Sequence, residues 1–184
     1  MERDQMKKKK NIAILTVKEI ALMGMMVAVI ESCKIALSFL PNVETTTFWL
    51  ILFTLFFGWR IVFVVPVFIL LEVSMYGPHL WVIMYAYIWP LLVLLVFFFR
   101  KQTSVWFWCI LSGFFGLSFG MLCAIPYVVI GTVGNSLRSG LYAGFTWWVA
   151  GIPWDLVHGV ANFLIMMVLY NPVKGIMVQV KKMI

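Results

Sequence analysis

Hydrophobic residues run along this chain in long blocks, broken by short polar punctuation. Apolar stretches cover residues 17–40, 47–74, 80–99, 105–124 and 150–170, and a further apolar but broken stretch covers 125–149. Between them lie Leu40-Pro-Asn-Val-Glu-Thr-Thr46, Tyr76-Gly-Pro-His79, Arg100-Lys-Gln-Thr-Ser104 and Asn171-Pro172. Proline and asparagine punctuate local structure, so these read as turns. An α-helix of about 20 residues bridges the roughly 30 Å hydrocarbon core of a bilayer. The pattern predicts an all-α integral membrane protein.

The stretch 47–74 sets the number of crossings, because Gly58-Trp-Arg60 interrupts it near the middle. As two helices, each segment is only about 21 Å long, short of the core thickness, although local thinning absorbs some mismatch. As one helix, it would leave Arg60 at mid-membrane at a cost of about 3 kcal/mol. Charge decides between them. With a hairpin, Arg60, Arg100, Lys101 and the C-terminal Lys174, Lys181 and Lys182 share the side of the basic N-terminus, leaving only Arg138 in an opposite loop. That is the positive-inside pattern. The expectation is a bundle of six transmembrane helices with both termini cytoplasmic. Residues 1–16 form a basic tail, 17–171 a single membrane domain closed by Asn171-Pro172, and 172–184 a second basic tail. Two readings of 125–149 stand, a surface loop and a re-entrant pair of half-helices.

Composition agrees with this picture: 64% of the 184 residues are hydrophobic and 11% are charged, which excludes an ordinary soluble domain. The net charge of +7 raises nucleic acid as a partner, but the basic residues punctuate apolar runs instead of lining one surface. Membrane lipid is the partner they imply, and nucleic acid is not. Cys33, Cys109 and Cys123 lie within apolar runs without metal-ligand spacing, as structural thiols do. Lys18 and Glu19 interrupt the first apolar run and no small-residue cleavage site follows, so the N-terminus reads as a tail rather than a signal peptide.

The polar residues inside the apolar runs carry the functional signal. Gly151-Ile-Pro-Trp-Asp-Leu-Val-His-Gly-Val-Ala-Asn-Phe163 places Asp155, His158 and Asn162 on one helical face. Ionisable groups within a membrane helix normally face the interior, a cavity or a pathway. A stripe that hydrogen-bonds helices together explains the same spacing. Glu31 and Lys34, three residues apart, are able to pair, either structurally or around a ligand. Threaded through six crossings, Glu31, Lys34, Asn42, Glu44, Glu72, Asp155, His158 and Asn162 all fall in the outer half, as an outward-facing polar cup. Trp81 and Tyr85 suit either the membrane interface or the wall of that cup. On the first span Ala21, Gly24 and Ala28 make a small-residue face that admits another helix, from this chain or from a partner. Gly113, Gly116 and Gly120 make a similar close-packing face on the fifth span.

No catalytic constellation competes. The chain has no His-Glu-x-x-His pattern, no Gly-x-Ser-x-Gly elbow and no phosphate-binding glycine loop. Asp155 and His158 make an acid/base pair without an obvious nucleophile beside them. No catalytic residue, metal site or cofactor is therefore expected, and the chain reads as a non-enzyme.

In size, in the small-residue face of the first span, in Leu40-Pro-Asn-Val-Glu44 with its following run to Phe57-Gly58, and in the segment 151–163, the chain resembles the substrate-binding S components of energy-coupling factor (ECF) transporters. The resemblance implies a six-helix protein of the bacterial plasma membrane that captures a vitamin or related micronutrient from outside. It implies as partners a membrane coupling protein and two ABC-type ATPases, which hydrolyse the ATP. A family docking pattern of two alanines four apart would fall on Gly24 and Ala28, or on Ala21 with Met25 in the second place. The implied cup uses Asn42, Glu44, Glu72, Trp81, Tyr85, Asp155, His158 and Asn162. Two other classes stay open: a stand-alone secondary transporter or channel, and a membrane sensor or assembly protein.

Overall fold

The computed structural model describes residues 15–183. The lysine run Lys7 to Lys10, and with it most of the expected N-terminal tail, lies outside the described residues. Among the described residues the regular structure is entirely helical.

Helix α1, Val17–Ala36, opens with a capping box. The Thr16 hydroxyl accepts the Glu19 N–H, and the Glu19 carboxylate accepts the Thr16 N–H, so two otherwise orphaned donors are satisfied. Helix α2, Thr46–Phe57, is buried around nearly its whole circumference, from Thr46 and Thr47 through Leu50, Ile51 and Leu52 to Phe57. A helix that is apolar all round belongs inside a protein, and α2 is the central post of the bundle. Gly58 ends it at φ +63°, a conformation that costs residues with a Cβ. A single 3₁₀ turn, Gly58–Arg60, leads into α3, Ile61–Tyr76. Then follow α4, Leu80–Phe99, and α5, Val105–Cys123. The short α6, Ile125–Thr132, and α7, Leu137–Lys182, complete the chain.

Two ion pairs define how the first three helices run. Arg60 binds Glu19 at the start of α1, and Lys34 near the end of α1 binds Glu72 near the end of α3. Helices α1 and α3 therefore run parallel, and α2 must run back between them. A continuous helix over Thr46–Tyr76 would hold its ends about 45 Å apart. Glu44 and Tyr76 instead line one cavity, so the chain reverses at Gly58–Arg60.

Helix α5 packs against α7 with backbones in close approach. A Cβ on Gly116 would stand 2.8 Å from the Gly159 Cα and 2.9 Å from the His158 carbonyl oxygen. The same seam continues beyond the kink at Ala124, where Gly144 meets Val128 and Gly131 meets Gly140 and Ala143. Helices α5 and α6 thus lie antiparallel to α7 along the stretch from Gly140 to Phe163.

Four helical stretches are long and apolar enough to cross a membrane: Thr46–Tyr76, Leu80–Phe99, Val105–Thr132 and Leu137–Lys182. They fit a membrane-embedded protein. Helix α1 is not among the four, because Lys18, Glu19, Glu31 and Lys34 load its 20 residues with charge.

Three local expectations are corrected. Residues 125–149 are not a surface loop: they are α6, a turn at Gly134, and the first turns of α7. The last helix starts at Leu137 rather than at residue 150, and Asn171-Pro172 does not end it. Each proline removes one backbone donor, a loss that packed membrane helices tolerate, so Pro153 and Pro172 sit inside α7 and residues 172–182 continue it. Finally, Lys34 does not pair with Glu31 on its own helix but reaches across to Glu72.

Candidate functional site

A cavity of about 510 Å³ opens at the end of the bundle where α1 gives way to α2. The turn 37–44 covers one side, with Asn42 held at φ +57°. Lys34 from α1, Trp81 and Tyr85 from α4, and Phe119, Gly120 and Cys123 from α5 form the walls. Trp147, Gly151, Trp154, Asp155 and His158 of α7 complete it. A second cavity of about 620 Å³, between α3 and α4, shares Lys34, Tyr76, Trp81 and Tyr85 with the first and adds Glu72.

Asp155 and His158 stand one helical turn apart on the buried face of α7. Asp155 Oδ1 accepts the backbone N–H of Gly120 at 2.9 Å, and Oδ2 is buried without a partner. The missing side chain at Gly120 makes room for this carboxylate, since a Cβ there would collide with Asp155. His158 lies edge-on to Phe119, with ring centroids 4.9 Å apart. Its Nε2 stands 3.2 Å from Glu44 Oε1, close enough to share charge but off the line of a hydrogen bond. Glu44 Oε2 accepts from the Thr46 hydroxyl at 3.0 Å. Burial pushes the Glu44 carboxyl up, but His158, the Thr46 hydroxyl and the charge of Lys34 outweigh it and hold the group below its ordinary 4.5.

Across the cavity the Lys34 ammonium binds Glu72 and lies over the rings of Tyr76, Tyr85 and Phe68, 5.4 to 5.8 Å from their centroids. Tyr85 is buried and stacks on Phe68, whereas Trp81 is 63% exposed and stands at the rim.

Of the residues singled out from the sequence, Lys34, Asn42, Glu44, Trp81, Tyr85, Asp155 and His158 line the first cavity and Glu72 lines the second. Glu31 and Asn162 line neither. Glu31 is buried, with neither carboxylate oxygen hydrogen-bonded. Asn162 lies a turn deeper than His158, where its Nδ2 donates to Thr47 Oγ1 at 3.3 Å and its backbone carbonyl accepts from the Ser112 hydroxyl. It ties α7 to α2 and α5, as a helix-joining polar residue does.

Trp147, Trp154, Phe119 and Cys123 were missed. Trp154 lies beside Asp155 in the sequence, and Trp147 one turn before Gly151. Trp154 was legible in the segment 151–163, and Trp147 only with α7 extended back through residue 147.

Ala21, Gly24 and Ala28 are all exposed, with nothing within 4 Å of the place a Gly24 Cβ would occupy. No described part of this chain packs on that face. Among the described residues no three His, Cys, Asp or Glu side chains converge as a metal-ligating group. The arrangement can receive a small molecule against carboxylates and flat rings.

Comparison with family models, with curated proteins and with solved structures returns no match.

Proposed function

We propose that this chain is the substrate-binding S component of an ECF-type ABC importer, which captures a vitamin or related micronutrient from outside a bacterial plasma membrane. In this reading α1, α2, α3, α4, α5 with α6, and α7 make six crossings, and the even count returns both termini to the cytoplasm. The observation that carries it is the cavity where Glu44, Asp155 and His158 converge from a turn and a helix more than 100 residues apart. A pocket of a few hundred cubic ångströms with a few convergent polar groups is how small-molecule sites are built. The unpartnered face of Ala21, Gly24 and Ala28 supports the second half of the reading, docking on a membrane coupling protein that works with two ATPases.

Native mass spectrometry of the detergent-purified chain tests the first half. A co-purifying small molecule, lost in Asp155→Ala and His158→Ala, is the expected result. An empty cavity and unchanged spectra in both variants would remove the reading. Uptake into vesicles that hold this chain and no ATPase would replace it with a stand-alone transporter.

A further inference from the structure

We propose that the occupant of the 510 Å³ cavity is an organic cation, a flat heteroaromatic or quaternary ammonium compound. This rests on the reading above that the cavity takes a small molecule, and it goes further by naming the charge of that molecule.

The charge around the cavity is unbalanced. Its wall carries Glu44 and Asp155 against Lys34 and His158, and Lys34 is already bound by Glu72. With the Lys34–Glu72 pair neutral, two carboxylates, Glu44 and Asp155, face the cavity against one imidazole. The basic groups are also committed. Lys34 is held by Glu72, and His158 stands over Glu44. Asp155 alone lines the cavity with no cation of its own. It is 7% exposed, its Oδ1 is satisfied only by the Gly120 N–H, and its Oδ2 has no partner. A carboxylate taken out of water in this state is costly until a counter-charge arrives.

The walls suit that counter-charge. Tyr85, Phe119, Trp147 and Trp154 line the same space, and aromatic faces attract cations. The protein already uses this chemistry at the mouth, where the Lys34 ammonium lies over three rings. An anion entering the cavity would meet Asp155 and Glu44 and find its one ammonium taken.

Isothermal titration calorimetry on the detergent-purified chain, with three probes that share one ring, tests this. 1-Methylnicotinamide, methylated on the ring nitrogen, is a cation, nicotinamide is neutral and nicotinate is an anion. The expected order is cation, then neutral, then anion, with the first step at least about tenfold. Asp155→Asn should narrow that step to below about threefold, and Glu44→Gln should narrow it in part if Asp155→Asn fails to fold. Equal binding of the three, tighter binding of nicotinate, or no saturable binding of the cation would each overturn the proposal. The mass-spectrometric test above does not depend on charge, so a neutral or anionic molecule found there would end this inference and leave the functional reading standing.

Discussion

The Asp155 carboxylate of α7 reaches the backbone amide of Gly120 on α5, 2.9 Å away, through the space that a side chain at Gly120 would fill. One bond thus joins the close α5–α7 seam to the wall of the cavity. Gly120→Ala should cost about 1–3 kcal/mol, as overpacking of a tight seam does. It should also displace Asp155. A lowered thermal midpoint in detergent, with loss of the small molecule that the proposed function expects the protein to retain, is the expected result, read by differential scanning fluorimetry and native mass spectrometry on the same preparation.

Gly58 holds φ +63° where the chain reverses between α2 and α3, with nothing within 4 Å of a would-be Cβ. Gly58→Ala should therefore cost conformational strain alone, about 1–3 kcal/mol. Gly24→Ala, also in open space but in regular helix, should leave the thermal midpoint within error or raise it slightly. The contrast between the two separates backbone strain from packing.

Gly24→Leu should likewise leave the fold intact, because no described residue approaches that face. In the proposed transporter it should abolish co-purification with the coupling protein. Retention of that complex by a well-folded Gly24→Leu protein would show that this face is not the docking surface.

Lys34 and Glu72 make a partly buried tie between α1 and α3. Lys34→Met should destabilise by about 2–3 kcal/mol, because it leaves the Glu72 carboxylate without its cation. Lys34→Met with Glu72→Gln should recover most of that loss. A double-mutant cycle of thermal or denaturant midpoints checks this, and additive losses would contradict it.

The Glu44 carboxyl lies below its ordinary 4.5 in the folded protein, because His158, Thr46 and Lys34 outweigh the opposing effect of burial. A depressed carboxyl contributes its full stability above the unfolded value and loses it as pH falls through the folded one. Glu44 should therefore hold the turn 37–44 in place at neutral pH and release it only below about pH 4.5. Glu44→Gln should lower the thermal midpoint at pH 7 and flatten the acid limb of the midpoint–pH curve. An unchanged acid limb would show that Glu44 contributes nothing there.

How far the fold was legible depended on which force set each feature. The break at Gly58-Trp-Arg60 could be read because charge placement and backbone permissiveness agree on it. The extent of α7 could not: Pro153 and Pro172 signal interruption locally, and only packing against α5 and α6 carries the helix through Pro153. The partner of Lys34 was also beyond sequence spacing, which favours Glu31 three residues away, whereas the structure offers Glu72 across the α1–α3 seam. Asp155 and His158 were legible because ionisable groups in an apolar helix must face something polar. Asn162, equally conspicuous, faces Thr47 of α2 instead of the cavity. Face and depth are different facts, and a heptad of spacing gives only the first.

Helix α2 has a consequence for how the protein is made. At 12 residues it is about 18 Å long, too short to bridge a ~30 Å hydrocarbon core unaided. On leaving the ribosome it cannot settle in lipid as an independent unit. It must enter folded back on α3, and its near-complete enclosure demands that α4 and α7 close around it later. Biogenesis therefore has a compulsory final event, the arrival of the C-terminal helix. Until then the central post lacks one of its walls, and chains truncated before residue 137 should be degraded rather than accumulate.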